Sequence, residues 1–277
     1  MISRGILLKT VRDLRWQVFW YSLGLSLLGA FVVYIYPSYR EQLAEFELPE
    51  AMQALIGDVD FTSPSGFLAA EFYSWAPIML VVFAIMAGTS ALAGEEENGT
   101  LDLLLAQPLS RRRLAVSKLA GLTFSSIIIA AGTYIGWLIS VPFVDMDVSL
   151  ARLALANLQM VPLLLAVGFL AVWCSAVFPD RKLATGVVTA IAVVSYVVNY
   201  LSALVDVLKP LAWASLFNYA EGGDTLTGSY DEWKPLVLLG LAGLFALLAL
   251  ASFERRDLGV RGGGLVLPGL PGFTRRD

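Results

Sequence analysis

Residues 72–94 read FYSWAPIMLVVFAIMAGTSALAG, and no charged side chain interrupts them. A helix needs about 20 residues to cross the hydrocarbon of a bilayer. A charge at mid-membrane costs about 2.5–3.5 kcal/mol on insertion scales, whereas each Leu or Ile gains only about 0.3–0.6 kcal/mol. A stretch this long and this clean is therefore predicted to span a membrane as a helix.

Five further uncharged stretches of similar length occur along the chain, and the composition agrees with them. The sequence is 57% hydrophobic and only 15% charged, which is more apolar surface than a soluble domain buries in one core. We predict an all-α integral membrane protein with six transmembrane helices in a single domain, residues 1–260, followed by a flexible Gly- and Pro-rich cytoplasmic tail, 261–277. The six predicted spans are about 16–39, 72–94, 119–144, 153–179, 183–205 and 235–253.

The basic residues predict the orientation of the chain. Most of the 19 Lys and Arg residues fall in segments that share one side if both termini are cytoplasmic, as the retention of Lys and Arg on the inner side requires. We therefore predict a multi-pass protein of a prokaryotic plasma (inner) membrane. Residues 2–14 carry apolar side chains on one helical face and basic ones on the other, which predicts an interfacial helix in the inner headgroup layer; a plain basic flank of the first span is the alternative.

Several chemistries are disfavoured by composition. The chain has no histidine and one cysteine, Cys174, so imidazole metal sites and an internal disulfide are excluded. It has no Gly-x-x-x-x-Gly-Lys-Ser/Thr phosphate loop, so ATP hydrolysis by that chemistry is not expected on this chain. No metal ligand set and no nucleic-acid interface are predicted.

The loop after the second span is the least ordinary segment. Residues 94–113 read GEEENGTLDLLLAQPLSRRR, in which three acids precede a turn, a short helix and three bases. Asn98-Gly99 predicts the turn, Pro108 ends the helix, and Ser110 can cap the next one. The leucines cover more than one face of the short helix. They could fill a groove in a partner protein or lie on the inner leaflet, and the residues alone leave both readings open.

The run from Gly94-Glu95 through Asn98 to Leu104, with Pro108 to Arg111 and Lys118, resembles the signature loop of the type-2 class of ABC transporter permeases. Members of that class are six-span subunits of exporters for drugs, antibiotics, lipids and polysaccharides. The span count, the topology and the long last external segment are similar over nearly the whole chain.

The resemblance implies a coupling helix at about Thr100–Gln107, seated in a cleft of a cytoplasmic ATP-binding cassette ATPase. It implies two such ATPase subunits and a second permease copy, either identical or related. The permease itself would be non-catalytic, with ATP and Mg on the ATPase, and would export an amphipathic drug, antibiotic or lipid-like substrate. The acids are expected to pair with Arg111–Arg113 or with the N-terminal helix. The implied coupling residues are Glu95, Glu96, Glu97, Gly99, Thr100, Leu101, Asp102, Leu103, Leu104, Pro108 and Arg111.

Other features carry weaker expectations. Phe31, Tyr34, Phe72, Phe83 and Asn199 are candidates for a substrate pathway through the membrane. Gly132 and Gly136 form a Gly-x-x-x-Gly pair, for which packing inside one subunit is favoured over a dimer seam. The long segment 206–234 is expected to contain short helices. No carboxylate lies at the middle of a predicted span, which counts against an ion-coupled carrier. An ATP-independent transporter or channel and a membrane scaffold remain the alternatives.

Overall fold

The computed structural model describes residues 3–44, 63–97, 99–100, 110–144, 146–178 and 180–255, and no strand occurs in these ranges. Six helices in them are long and apolar enough to cross a membrane, and each contains most of one predicted span. The helices are α1 Arg4–Ala44, α2 Pro64–Glu71, α3 Ala76–Thr89, α4 Arg111–Ser140, α5 Leu150–Gln159, α6 Val161–Val177, α7 Arg181–Leu204, α8 Gly222–Thr227 and α9 Lys234–Arg255. A π-helix, Ser90–Gly94, and a short turn of helix, Glu95–Glu97, extend α3.

The first helix corrects one detail of the prediction. Residues 4–14 are helical, but they continue into the first span without a break, so they do not form a separate interfacial element. Ile6, Thr10 and Leu14 are buried, and Gly121 of α4 approaches Thr10 so closely that a Cβ there would lie 2.6 Å from the Thr10 methyl carbon. The predicted membrane-facing side of this segment therefore packs largely on α4. At about 1.5 Å per residue, α1 extends to about 60 Å, roughly twice the hydrocarbon thickness.

The fourth span, α5 with α6, forms the centre of the bundle. Helix α6 contacts α3, α4, α7 and α9, and most of its side chains are buried. A helix that is apolar on every side is expected to be surrounded by other helices. The packing against α3 is close, since a Cβ on Gly88 would lie 2.5 Å from the Gly168 carbonyl oxygen and 2.5 Å from the Ala171 Cβ.

Small residues also join α1 to α4. Gly132 faces Ser22 and Gly136 faces Ser26, each with less than 3 Å between the position of a glycine Cβ and the serine side chain. The Ser26 hydroxyl donates a hydrogen bond to the Gly132 carbonyl oxygen at 3.1 Å. The preferred interpretation of the Gly-x-x-x-Gly pair, packing within one subunit, is confirmed.

The predicted external segment contains the expected short helices: 3-10 turns at Asp206–Ala214 and Phe217–Tyr219, and then α8. Helix α8 packs against α2 and α5. The buried Glu221 carboxylate holds the end of this segment, since it pairs with Lys234 at 2.6 Å and accepts a hydrogen bond from the Asp231 backbone N–H at 2.9 Å.

We expect Gly88→Ala to lower the unfolding temperature of the purified chain clearly. The added methyl group meets a backbone carbonyl that cannot move aside, and overpacking of this kind costs about 1–3 kcal/mol. Gly240→Ala in α9 is the matched control, because nothing lies within 4 Å of its Cβ position. Equal unfolding temperatures for the two variants would contradict this packing.

Candidate functional site at the end of the second span

The second span changes its hydrogen-bonding pattern just before the acidic loop. Residues Ser90–Gly94 form a π-helix, an arrangement that is rare and often marks functional sites. The backbone N–H groups of Leu92 and Ala93 donate to the Ser175 hydroxyl of α6, at 3.3 and 2.7 Å. That hydroxyl in turn donates to the Thr89 carbonyl oxygen at 3.3 Å. A side chain from the central helix thus replaces part of the regular helical ladder.

Glu95 follows the π-helix directly and is buried, with 7% of its surface exposed. Its carboxylate accepts hydrogen bonds from Lys9 of α1, at 2.8 Å to each oxygen, and from Lys118 of α4 at 2.5 Å. The Thr100 hydroxyl donates to the same carboxylate. We call these four residues, Lys9, Glu95, Thr100 and Lys118, the Glu95 cluster. It ties the second span, the first span, the third span and the start of the loop to one side chain.

The electrostatics of the cluster depend on that single carboxylate. Lys118 is 4% exposed, and an ammonium group removed from water is costly unless it is paired and hydrogen-bonded. Lys9 is more accessible and also lies 4.0 Å from Asp13. The negative charge of Glu95 therefore compensates the buried positive charge of Lys118. Lys9 pairs with the same carboxylate from the α1 side.

The turn after Glu95 is also fixed by hydrogen bonds. Gly99 has a φ of +67°, in the left-handed region that glycine adopts without strain. Its N–H donates to the Glu96 carbonyl oxygen at 3.0 Å, and the Thr100 N–H donates to the Glu95 carbonyl oxygen at 2.9 Å. This pair of bonds is a Schellman motif, a common end of a helix. The predicted turn at Asn98-Gly99 is confirmed at Gly99.

The far end of the loop is capped as predicted. The Ser110 hydroxyl accepts a hydrogen bond from the Arg113 backbone N–H at 3.3 Å and starts α4. Of the other predicted coupling residues, Glu96 and Arg111 are half-buried and Glu97 is exposed. Residues 101–109 lie outside the described residues, and they include the predicted Leu101, Asp102, Leu103, Leu104 and Pro108.

The acids were predicted to pair either with Arg111–Arg113 or with the N-terminal helix. The second pairing is confirmed for Glu95, because its partner Lys9 belongs to the N-terminal helix. Lys118 was not predicted as its partner. A signal for it was present in the sequence: Lys118 is the only charged residue from 114 to 144. A lone charge in a membrane helix is expected to face a partner inside the bundle.

A polar cavity of about 420 Å³ adjoins the Glu95 cluster. Helices α1, α4 and α7 and the second span all contribute to its wall, including Asp13, Gln17 and Arg181 beside the residues of the cluster. The cavity leaves the charged side chains in contact with unfilled space on one side. The charged side chains of the cluster therefore border a polar space, whereas Leu92 and Ala93 of the π-helix are fully buried.

The predicted substrate-pathway residues separate into two groups. Phe31 and Tyr34 are 60% and 77% exposed on α1, and Asn199 is half-buried on α7. Phe72 and Phe83 are fully buried instead. The Phe72 ring packs edge-on against Trp137 with 4.7 Å between ring centroids, and Phe83 packs against Tyr21 at 5.4 Å. Both are core residues of one chain in this structure, and the substrate pathway itself stays a prediction.

Helix α3 exposes other side chains that the sequence analysis missed. These are large apolar residues spaced by three or four positions, which places them on one helical face. Helices α1 and α7 both contact α3, so these exposed residues lie on a helix that has α1 and α7 as neighbours. We call them the α3 stripe: Trp75, which directly precedes the helix, and Met79, Val82 and Met86 within it.

These features define a multi-pass helical membrane protein with a charge-paired loop at the end of its second span. A family model described as "ABC-2 family transporter protein" matches residues 6–258. The chain belongs to this family and is an ABC transporter membrane subunit.

One curated relative agrees with that assignment over a shorter region. The chain is 38% identical over 84 residues to a "Probable ABC transporter permease protein NosY" from Pseudomonas aeruginosa. The match covers 30% of this chain and 29% of the relative, so the chain matches under a third of that protein's length.

We expect Glu95→Gln to destabilise the chain strongly. Glutamine keeps the shape of the side chain but leaves the buried Lys118 without its counter-charge, and breaking a buried pair from one side costs about 3–5 kcal/mol. Unfolding of the purified protein in detergent, followed by temperature or denaturant, measures the loss.

Glu97→Gln is the control, since Glu97 is exposed two residues further on and surface changes are usually within about 0.5 kcal/mol. The double variant Glu95→Gln/Lys118→Met should recover part of the loss, because the unpaired buried charge is then absent. No recovery would show that Lys118 is not the group that Glu95 compensates.

Proposed function

We propose that the chain is the permease of an ATP-driven exporter and transmits the movement of a separate ATPase subunit into the membrane. The observation that carries this proposal is the Glu95 cluster, in which Thr100 contacts the carboxylate that also binds α1 and α4. Membership of the ABC-2 family supports it. In this proposal ATP and Mg bind on the ATPase, and the permease is non-catalytic.

The mechanism begins at the loop. In this proposal residues 100–107 are the coupling helix, which sits in a cleft of the ATPase with Leu101, Leu103 and Leu104 in the apolar part of that cleft; residues 101–107 lie outside the described residues. When two ATPase subunits close around ATP, they displace the coupling helix. Because Thr100 contacts Glu95, the displacement reaches Lys9 on α1 and Lys118 on α4 together. Differential contact of the ATPase with two arrangements of these helices supplies the switch.

In this proposal the exposed surface of α1, α3 and α7 receives a second permease copy. Helices α1 and α7 expose many large apolar side chains, and they contact α3, which carries the α3 stripe. We propose that the second copy faces this side and that the substrate passes between the two stripes. Methionine is flexible and polarisable and adapts to ligands of different shape. The stripe therefore suits an amphipathic drug, antibiotic or lipid-like substrate, exported across a prokaryotic inner membrane.

We expect Leu103→Arg to abolish assembly with the ATPase. An arginine cannot enter an apolar cleft without an unpaired buried charge. The full chain is co-expressed with the ATP-binding subunit encoded by a neighbouring gene, and co-purification and ATPase rate are compared with wild type. Val207→Arg is the control, because Val207 is 84% exposed on the opposite, predicted external side. If wild type binds no ATPase, the proposal of an ATP-driven exporter fails; if wild type binds and Leu103→Arg binds equally well, the contact does not lie at Leu103.

The proposed pathway predicts a pattern of cysteine reactivity. With Cys174 replaced by serine, we expect Met79→Cys to react with a polar, water-soluble maleimide in the assembled complex, because thiolates form only where water reaches. Leu247→Cys on α9, which is 66% exposed, should face lipid and stay unreacted, and Phe83→Cys should stay unreacted as a core residue. Equal protection of Met79→Cys and Leu247→Cys would place the α3 stripe against lipid.

A further inference from the structure

A second cavity, of about 470 Å³, lies between α1 and α4 on a side of α1 other than that of the Glu95 cluster. Its walls are almost entirely apolar. Val18 and Phe19 of α1 and Ile128, Ala131 and Ile135 of α4 form them, and Arg15 is the one charged residue. We call it the α1–α4 groove.

The groove has a local cause in the sequence. The two helices touch where Ser22 meets Gly132, with 2.7 Å between the Ser22 Cβ and the position of a Cβ on the glycine. Both of these small residues line the groove. Larger side chains stand beside this contact, so the meeting of small residues leaves a furrow between the helices.

The groove begins just before the predicted first span and enters it. On α1 its lining residues run from Val11 to Ser22, so Val11 and Arg15 precede the predicted span, 16–39, and Val18, Phe19 and Ser22 lie in its first two turns. An acyl chain in the groove would therefore occupy the part of the inner leaflet next to the headgroups. Arg15 lies in the half of the groove nearer the N-terminus of α1, on the side predicted to be cytoplasmic.

Arg15 lacks a counter-charge in the described part of the chain. It is exposed, and none of the ion pairs among the described residues involves it. Its guanidinium carbon lies 5.7 Å from the centre of the Trp16 ring. Arginine binds phosphate through two parallel hydrogen bonds, and tryptophan is enriched at the headgroup level.

We propose that the α1–α4 groove binds a phospholipid of the inner leaflet, with one acyl chain along the apolar walls and the phosphate on Arg15. A helix from a second copy would bury Arg15, which is costly unless that copy also places a carboxylate against the guanidinium group. The bound lipid fills the furrow and holds α1 against α4. This proposal rests on the membrane location of the chain and is independent of the ATPase.

The test counts phospholipids on the full chain by native mass spectrometry. The protein is extracted in a mild detergent and washed until loosely held lipid is removed. Wild type should retain one phospholipid per chain. Arg15→Gln should lower the retained fraction about tenfold, as expected for the loss of a hydrogen-bonded charge pair. Ala131→Trp should lower it similarly, because Ala131 is exposed in the groove and the indole fills the space.

Two matched controls separate the groove from general lipid contact. Arg12→Gln removes an exposed arginine one turn away that does not line the groove, and Ala251→Trp adds an indole to an exposed alanine of α9. Both should retain lipid as wild type does. Equal retention in all five proteins would overturn the proposal, and so would a change of oligomeric state in Ala131→Trp with lipid retention unchanged.

Folding and ATPase assembly are followed in the same samples. The unfolding temperatures of Arg15→Gln and Arg12→Gln should agree in lipid-free detergent, which excludes a general loss of structure. Both variants should still co-purify with the ATPase. Failure of the lipid proposal therefore leaves the exporter proposal untouched, and the reverse also holds.

Discussion

The structure at the predicted cytoplasmic end depends on one buried carboxylate. Removing an ion from water costs several kcal/mol even in real proteins, and only well-placed partners offset that cost. Glu95 meets the requirement with Lys9, Lys118 and Thr100, which come from three different parts of the chain. The carboxylate therefore fixes where the first and third spans lie relative to the second, and where the loop begins. No apolar contact at this position would define the geometry as narrowly, because hydrophobic contact is not directional.

The central helix provides the second constraint. Because α6 is apolar on nearly all sides, its neighbours are positioned largely by shape, and the small residues Gly88, Gly168 and Ala171 allow α3 to come close. Ser175 is a polar residue on this largely apolar surface, and its hydroxyl accepts hydrogen bonds from the backbone of the π-helix. In hydrocarbon no water is available to accept a hydrogen bond from an unsatisfied N–H. The π-helix therefore persists because the central helix supplies the missing acceptor.

The spans could be predicted from the sequence because insertion depends on the summed hydropathy of about 20 residues. The turn at Gly99 and the cap at Ser110 could also be predicted, since both are local backbone chemistry. The faces of the spans could not: when every side of a helix is apolar, no periodicity separates the buried Phe83 from the exposed Met79. The continuity of α1 was missed for a related reason. The change from basic to apolar residues near Trp16 marks a membrane boundary, but nothing there breaks a helix. The Lys9–Glu95 pair joins residues far apart in sequence. The fold, and not the local sequence, therefore determines which of several basic residues pairs with Glu95.

A π-helix and a buried ion pair lie next to each other at the end of the second span. A buried ion pair can often be replaced by apolar residues with no loss of stability, so stability alone does not explain the Glu95 cluster. A π-helix contains one residue more than the α-helix it interrupts. The N–H groups of Leu92 and Ala93 in this π-helix donate to Ser175 of the central helix, so the position of Glu95 depends on that contact as well as on its own ion pairs. In the proposed mechanism, a force applied at Thr100 therefore acts directly on the side chain that links the first three spans.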